Sequence, residues 1–555
     1  MGLNEYKVGT YPGTTPRPVT PNPVTQDPPP IRWPASVLVV AIVALLLATW
    51  LPHYVTWPWW PDADAWATIA QGWDAGVRPY RDVTIFNFPG QIELCWVLGK
   101  VFGWGHTWPF YAVDAGLLIG FGGLLGIWSR RRFGFALPGL IGWAAAAWMY
   151  MGLNYTMVAQ RDWQGPLLAV SSLVVIQAWT GRAGSITSAA LMAMAFAIRP
   201  HVVLFMPAVA VAIACDAGSW RVILRKGFAW GLAFGLFAAL IFSPLIAQGL
   251  IGDLVRGVRQ ASYGSGYGGV TRRRFVAELI RQIGLIAPGD NIKPEDRAWV
   301  VLTGWKVLAT IAALGGTLAV SSPARRRLVA PWLAVLLLVL LYAPLHPKRH
   351  PYLVLPLRLA WATCWGVLAG VVLDRLSTMH RGVRITALVV CLAVAMPGIP
   401  EYCKPAEAIA AIQGRASNRV PAAARNLFAP GNHDTPYDWD DYQDLLAYLR
   451  DRTTPDTRIA NVLRNIPFPA INGAVGRVSP LPAESGVIWL WSVNPKLEGA
   501  FVEAISSAPA GSVVVWSPDE KPFTESLDLD TLCAAIRRSY RREAHFGAYE
   551  VWRKP

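Results

Sequence analysis

The chain has 555 residues, 54% of them hydrophobic and 15% charged, with a mean hydropathy of +0.34. Soluble domains carry about 25% charged residues, so a wholly soluble or disordered protein is excluded. The formal net charge of +15 is not spread evenly. Residues 1–400 hold 33 Lys and Arg against 16 Asp and Glu, whereas residues 401–555 hold 17 against 19. The excess lies in the apolar part, where lipid rather than nucleic acid is the partner expected. Six cysteines with no CxxC pair exclude a disulfide scaffold and a cysteine metal site.

In chain order, the first 34 residues carry nine prolines and read as a disordered cytoplasmic tail. The apolar run near Ala35–Leu51 begins too late for an ordinary cleaved signal and reads as an uncleaved first span. Further runs near 109–128, 135–153, 164–180, 185–199, 201–215, 227–247, 298–320, 328–345, 352–373 and 385–399 bring the expected spans to about eleven. With the N-terminus in the cytoplasm, the cytoplasmic loops contain Arg130-Arg131-Arg132, Arg182, Arg221/Arg225/Lys226, Arg325-Arg326-Arg327 and Arg375/Arg381/Arg384. Every such loop is basic, as the positive-inside rule requires. An odd number of spans then places residues 401–555 outside, in the periplasm if the membrane is the inner one.

The last 155 residues have ordinary composition. Tyr437–Asp451 has a helical amphipathic pattern. Arg458–Leu463 and Ser512–Trp516 read as strands, Leu527–Tyr540 as a helix and Phe546–Trp552 as a last strand. This predicts a small α/β domain. Cys403 and Cys533 would share the oxidising side and are a candidate disulfide.

Four external segments depart from what topology needs. Trp57–Gln91 is long, rich in aromatics, and carries Asp62, Asp64, Asp74 and Asp82. Asp62 follows Pro61 and has two readings, a helix N-cap or a general base at the membrane face. If the segment is helical, Asp62 and Asp64 point about 200° apart and only one faces a given cavity. If it is a turn, both carboxylates of Asp-Ala-Asp can meet a divalent cation such as Mg²⁺ or Mn²⁺. Met157–Gly165 places Arg161 and Asp162 at a boundary, as a snorkelling pair or as a phosphate contact oriented by carboxylates. Gln248–Pro294 holds a Gly/Tyr-rich stretch before Arg272, Arg273 and Arg274, readable as headgroup contact or as a lid on an anionic substrate. His346–Tyr352 is a Pro-flanked turn with Lys348, Arg349 and His350. It reads as an interfacial anchor or as a grip on a lipid phosphate. Arg199, in Arg199-Pro200-His201, adds another cation.

Together these segments resemble the GT-C superfamily of polytopic glycosyltransferases, and within it the branch of protein O-mannosyltransferases and lipid A aminoarabinose transferases. The resemblance rests on Gly76-Val77-Arg78-Pro79-Tyr80-Arg81-Asp82, on Phe88-Pro89-Gly90-Gln91, and on an acidic position at Asp62. Gln160-Arg161-Asp162 and Arg199-Pro200-His201 add to it. Family members usually carry Asp-Glu where this chain has Asp62-Ala63-Asp64, so the base is Asp62 or, alternatively, Asp64.

The resemblance implies an α-helical polytopic membrane protein with an external C-terminal domain and the boundaries 1–34, 35–400 and 401–555. It implies a sugar transferred from a polyprenyl-phosphate donor to a protein, lipid or glycan hydroxyl at the external face, with inversion. Arg161, Lys348, Arg349 and Arg272–Arg274 would hold the donor phosphate, and Arg81, Asp82, Asp162, Arg199 and His350 would orient substrate. No cofactor is required, although a divalent cation at Asp62/Asp64 stays open. The rival reading is a transporter or flippase for a lipid-linked or anionic solute. It would favour mid-span charges and internal repeats, and the sequence has few of the former and no obvious repeat.

Overall fold

The computed structural model describes residues 32–85, 87–153, 157–179, 181–263, 271–282, 294–346, 351–414, 438–463, 470–482, 497–517 and 530–555. The proposed N-terminal tail therefore lies outside the described residues up to position 31. The chain enters as α1 (Arg32–Tyr54), followed by α2 (Pro61–Asp74), α3 (Gly90–Phe102), α4 (Trp108–Phe133), α5 (Leu137–Met151), α6 (Arg161–Ala178) and α7 (Arg182–Ile198). After a 3₁₀ turn at Pro200–Phe205 come α8 (Met206–Asp216), α9 (Trp220–Ile241), α10 (Ser243–Ala247), α11 (Ile251–Tyr263) and α12 (Arg272–Gln282). Then follow α13 (Pro294–Val320), α14 (Pro323–Val339), α15 (Tyr342–Leu345), α16 (Leu355–Arg375), α17 (Arg381–Ala395) and α18 (Pro405–Ile412).

The apolar windows expected from the sequence fall on helical segments, although those near 201–215, 227–247, 328–345 and 352–373 are each divided between two. Among the described residues, five are long and apolar enough to cross a membrane: Pro34–Tyr54, Trp108–Phe133, Trp220–Ile241, Pro323–Leu345 and Tyr352–Thr378. Arg182–Ile198, Pro200–Asp216 and Gly304–Val320 are shorter apolar helices.

Small residues let the central helices approach closely, as membrane packing favours. A Cβ on Gly139 of α5 would lie 2.0 Å from the Leu125 carbonyl oxygen of α4, and one on Gly366 of α16 would lie 2.6 Å from that of Pro138. Ala144–Ala147 are fully buried in this contact, and every residue of α6 is buried. At the periphery, α9 leaves Leu224, Phe228, Leu232, Leu236 and Leu240 exposed at a spacing of four. A bare apolar stripe of that kind suits acyl chains rather than water.

The C-terminal part holds a four-stranded sheet in the order β1-β2-β4-β3, built from β1 (Ile459–Asn461), β2 (Val513–Trp516), β3 (Arg541–Phe546) and β4 (Tyr549–Arg553). β1 pairs parallel with β2, and the other pairs are antiparallel. Helices α19 (Trp439–Arg452), α20 (Asn472–Val475), α21 (Leu497–Ser507) and α22 (Asp530–Ser539) accompany it. Three expectations change. The single strand expected at Phe546–Trp552 is the turn and second arm of a hairpin, because Gly547 adopts φ +51° and reverses the chain between β3 and β4. The helix expected from Leu527 is described from Asp530; residues 518–529 lie outside the described set. Cys403 and Cys533 form no disulfide. The Cys403 thiol instead packs 3.8 Å from Met151 Sδ and 3.6 Å from the Leu46 carbonyl oxygen, against the helical part.

The sheet-bearing part is pinned to α2. Asp64 is fully buried, and its Oδ1 accepts the Ala474 N–H at 3.2 Å. Gln71, two turns on, donates to the Gly476 carbonyl at 2.7 Å, and the Thr84 N–H donates to the Pro482 carbonyl at 2.8 Å. Gly473 leaves room for the carboxylate, since a Cβ there would lie 2.6 Å from Asp64 Oδ1. Burial pushes the Asp64 carboxyl up to about 7, against backbone hydrogen bonds from Gly473, Ala474 and Ile471 that act the other way. The folded protein thus holds a proton that the unfolded chain releases above about pH 4. This contribution is fully present below that pH and is lost as pH rises to about 7 and above. Asp64→Asn keeps an acceptor for Ala474 but does not titrate. Its apparent Tm is expected to decline less than that of the wild type between pH 4 and 8. Parallel profiles from thermal unfolding in detergent would overturn the assignment. Asp64→Ala should cost about 1–3 kcal/mol through the unpaired Ala474 amide.

Candidate active site

Helix α2 starts at Pro61 with Trp60 as its N-cap, and no side chain caps it. Asp62 is therefore not the N-cap. It occupies the second helical position, where the helix dipole favours a carboxylate. The helical turn sends Asp62 and Asp64 to different sides. Asp64 faces the C-terminal part, whereas half-buried Asp62 shares its face with Trp66, one turn on. Asp64 serves the contact with the C-terminal part, through the Ala474 N–H.

The Trp66 face meets the start of α6. The Arg161 guanidinium lies over the Trp66 ring at 5.6 Å, and its Nη1 donates to Asn87 Oδ1. Arg161 is 7% exposed, and its Nε is buried with no hydrogen-bond partner. Asp162, fully buried, accepts Arg199 Nε at 2.9 Å and the Tyr342 hydroxyl at 2.7 Å on Oδ1, while its Oδ2 has no partner. Arg199 Nη2 donates to His346 Nε2 at 2.6 Å, which makes Nε2 the unprotonated ring nitrogen. His201 lies 5.0 Å from His346, ring to ring, with a buried Nδ1 that has no partner. Buried Tyr352 lies within electrostatic reach of Asp62, Arg161, Asp162 and Arg199. Arg274, from the start of α12, reaches the His346 carbonyl at 3.5 Å.

The other candidates lie elsewhere. Arg81 pairs with Asp253 at 2.9 Å and with the Gly249 carbonyl at 2.9 Å, tying its loop to α11. Asp82 takes both Arg78 Nε and Nη2, at 3.0 and 2.8 Å. The Arg78 guanidinium holds its carboxyl below the usual range, and the pair is largely exposed. Arg272 and Arg273 are exposed at the start of α12. Lys348, Arg349 and His350 lie outside the described residues.

Two features escaped the sequence reading. Tyr80 and Ala159 are the non-glycine residues with positive φ among those described, at +67° and +51°. Such a backbone costs about 1–3 kcal/mol and clusters at functional sites. The Tyr80 hydroxyl donates to the Asn87 carbonyl at 2.8 Å, and Ala159 lies two residues before Arg161, so both strained points support the same guanidinium. The second feature is Asp114, fully buried in α4. A lone acid inside an apolar run is a sequence signal in its own right.

No protein-family model matches the chain, and no curated protein matches it. Solved structures do, two of them forms of one protein. The crystal structure of ArnT from Cupriavidus metallidurans bound to undecaprenyl phosphate is 15% identical, covering 93% of this chain and 97% of that one, with a TM-score of 0.54. The apo form of the same protein is 14% identical over the same shares, with a TM-score of 0.50. ArnT is a lipid A aminoarabinose transferase, a GT-C glycosyltransferase. The resemblance read from the Asp62–Gln91 segment and the arrangement of helices around it agree: the chain shares the fold of this ArnT.

Proposed function

We propose that the protein is an integral-membrane glycosyltransferase that moves a sugar from a polyprenyl-phosphate carrier to an acceptor hydroxyl at the external face. The observation that carries this reading is the buried Arg161 guanidinium, with its unpartnered Nε, lying over the ring of Trp66, one helical turn from the half-buried Asp62. A carboxylate base and an anion site on neighbouring elements are what such a transfer needs. The ArnT-like fold adds support, since the solved relative holds undecaprenyl phosphate.

In this mechanism Asp62 accepts the proton of the acceptor hydroxyl as its oxygen bonds to the anomeric carbon. The bond from that carbon to the phosphate oxygen breaks, and its electron pair leaves with the lipid phosphate. Arg161 stabilises the departing charge, which is strongest in a site that excludes water. Asp162 and Arg199 form a buried pair that sets the local field, and the free Oδ2 of Asp162 accepts from a sugar hydroxyl. Arg272, Arg273, Arg274, Lys348 and Arg349 are assigned to the phosphate in this reading, and His350 to orienting substrate. Arg81 holds its loop to α11, and Asp82 stiffens that loop by pairing with Arg78. Attack from the face opposite the phosphate inverts the anomeric carbon. No divalent cation is required, because Arg161 supplies the charge.

The first test is Asp62→Asn in purified protein with a panel of polyprenyl-phosphate sugars, read by mass spectrometry of products. Turnover is expected to fall about 10²–10⁴-fold, while Asp64→Asn keeps most of it. Equal activity of the Asp62 variant and the wild type would remove the base assignment. Treatment with EDTA should leave turnover unchanged, and loss of activity restored by Mg²⁺ or Mn²⁺ would show that a cation is needed. The basic loops place the N-terminus inside, so a reporter fused after Pro555 should be active only in the external compartment. A cytoplasmic signal would move the whole site to the other face.

A further inference from the structure

The Arg161–Asp162 pair hangs from a strained turn, and the structure shows what holds that turn. The Ala159 N–H donates to the Tyr150 hydroxyl at 2.8 Å. That hydroxyl in turn donates to Asp114 Oδ2. Tyr54 donates to the same oxygen at 2.7 Å. The Tyr150 ring stacks on Trp163 at 4.4 Å and 21°. Tyr150 thus grips the turn on both sides, through an amide two residues before Arg161 and a ring one residue after Asp162.

The other carboxylate oxygen reaches the opposite wall. Gln164 Nε2 donates to Asp114 Oδ1 at 2.7 Å, and Gln164 Oε1 accepts Gln91 Nε2 at 2.5 Å. Gln91 opens α3, four residues after Asn87, which is the acceptor for Arg161. One buried carboxylate therefore connects α1, α4, α5, α6 and α3. Its two oxygens take three donors. A non-glycine residue in the left-handed region persists only where its surroundings over-determine it, and Asp114 with Tyr150 supplies that determination at Ala159.

We propose that Asp114 and Tyr150 are positioning residues, which set the direction of Arg161 and Asp162 through the Ala159 amide and the Trp163 ring. This rests on the transferase reading given above. Tyr150→Phe keeps the stacked ring and removes only the hydroxyl. Asp114→Leu removes the hub. Asp114→Asn is the conservative variant, because its oxygen can accept both tyrosines while its amide donates to a flipped Gln164, and Gln91 can flip in turn to offer its unpartnered Oε1.

The test has two parts. Hydrogen–deuterium exchange of the peptide covering residues 157–164 reads the turn without any need for activity. Exchange should quicken in Tyr150→Phe and Asp114→Leu and stay near wild type in Asp114→Asn. Unchanged exchange in Tyr150→Phe overturns the proposal. Kinetics reads the consequence: kcat is expected to fall about ten- to a hundredfold in the two disruptive variants, with a smaller change in donor KM and recovery in Asp114→Asn. The losses of Tyr150→Phe and Arg161→Lys should not multiply in the double variant, because one acts through the other. Multiplicative losses, or a wild-type kcat in Tyr150→Phe, overturn the positioning role. If the exchange result holds but the wild type makes no product from any donor, the transferase reading has failed rather than the account of the turn.

Discussion

Helix α2 has to serve two masters, and the rest of the site depends on how it does so. One face carries Asp64 and Gln71 into the C-terminal part, where backbone groups of Ala474 and Gly476 receive them. The other carries Asp62 and Trp66 toward Arg161. A helix turns 100° per residue, so two acids separated by one residue cannot do the same work. The tight approach at Gly473 fixes the rotation of the helix, and the rotation decides which acid meets the buried cations. The C-terminal part is in this sense a clamp on the site as well as a neighbour of it.

The charges beneath α2 follow a common rule for buried ions. An unpaired charge out of water is costly, and a pair is tolerated only when further hydrogen bonds complete it. Tyr342 donates to Asp162 and His346 accepts from Arg199, while Asp162 Oδ2 keeps no partner. Arg161 is completed only in part, by Asn87 and the face of Trp66, and its Nε remains without a partner. Glycines bring α4, α5 and α16 into close contact. Rigidity matters because a preformed field acts on a transition state without reorganising.

Much of this was legible in the sequence. The apolar windows located the helices, since hydropathy over about twenty residues is a property of composition and needs no tertiary contact. The Asp62–Gln91 segment, Gln160-Arg161-Asp162 and Arg199-Pro200-His201 pointed to the fold. The 3.6-residue period already separated Asp62 from Asp64. A strand of seven residues at Phe546–Trp552 was misread because the turn at Gly547 interrupts an otherwise unbroken β-prone run.

What the sequence by itself determined was the class of protein, the helices and the short list of chemically able side chains, because these follow from local composition and period. Only the tertiary structure decided which of them act together. Arg81 and Asp82 look as functional in sequence as Arg161 does, yet they close surface pairs with Asp253 and Arg78. Asp114 sits in a run that reads as membrane filler, yet its two oxygens join five helices. Tyr342 and His346 complete the Arg199 charge from nearly 150 residues away along the chain. Pairing across such separations is set by how helices cross and which small residues let them touch, and that information is carried by no single segment.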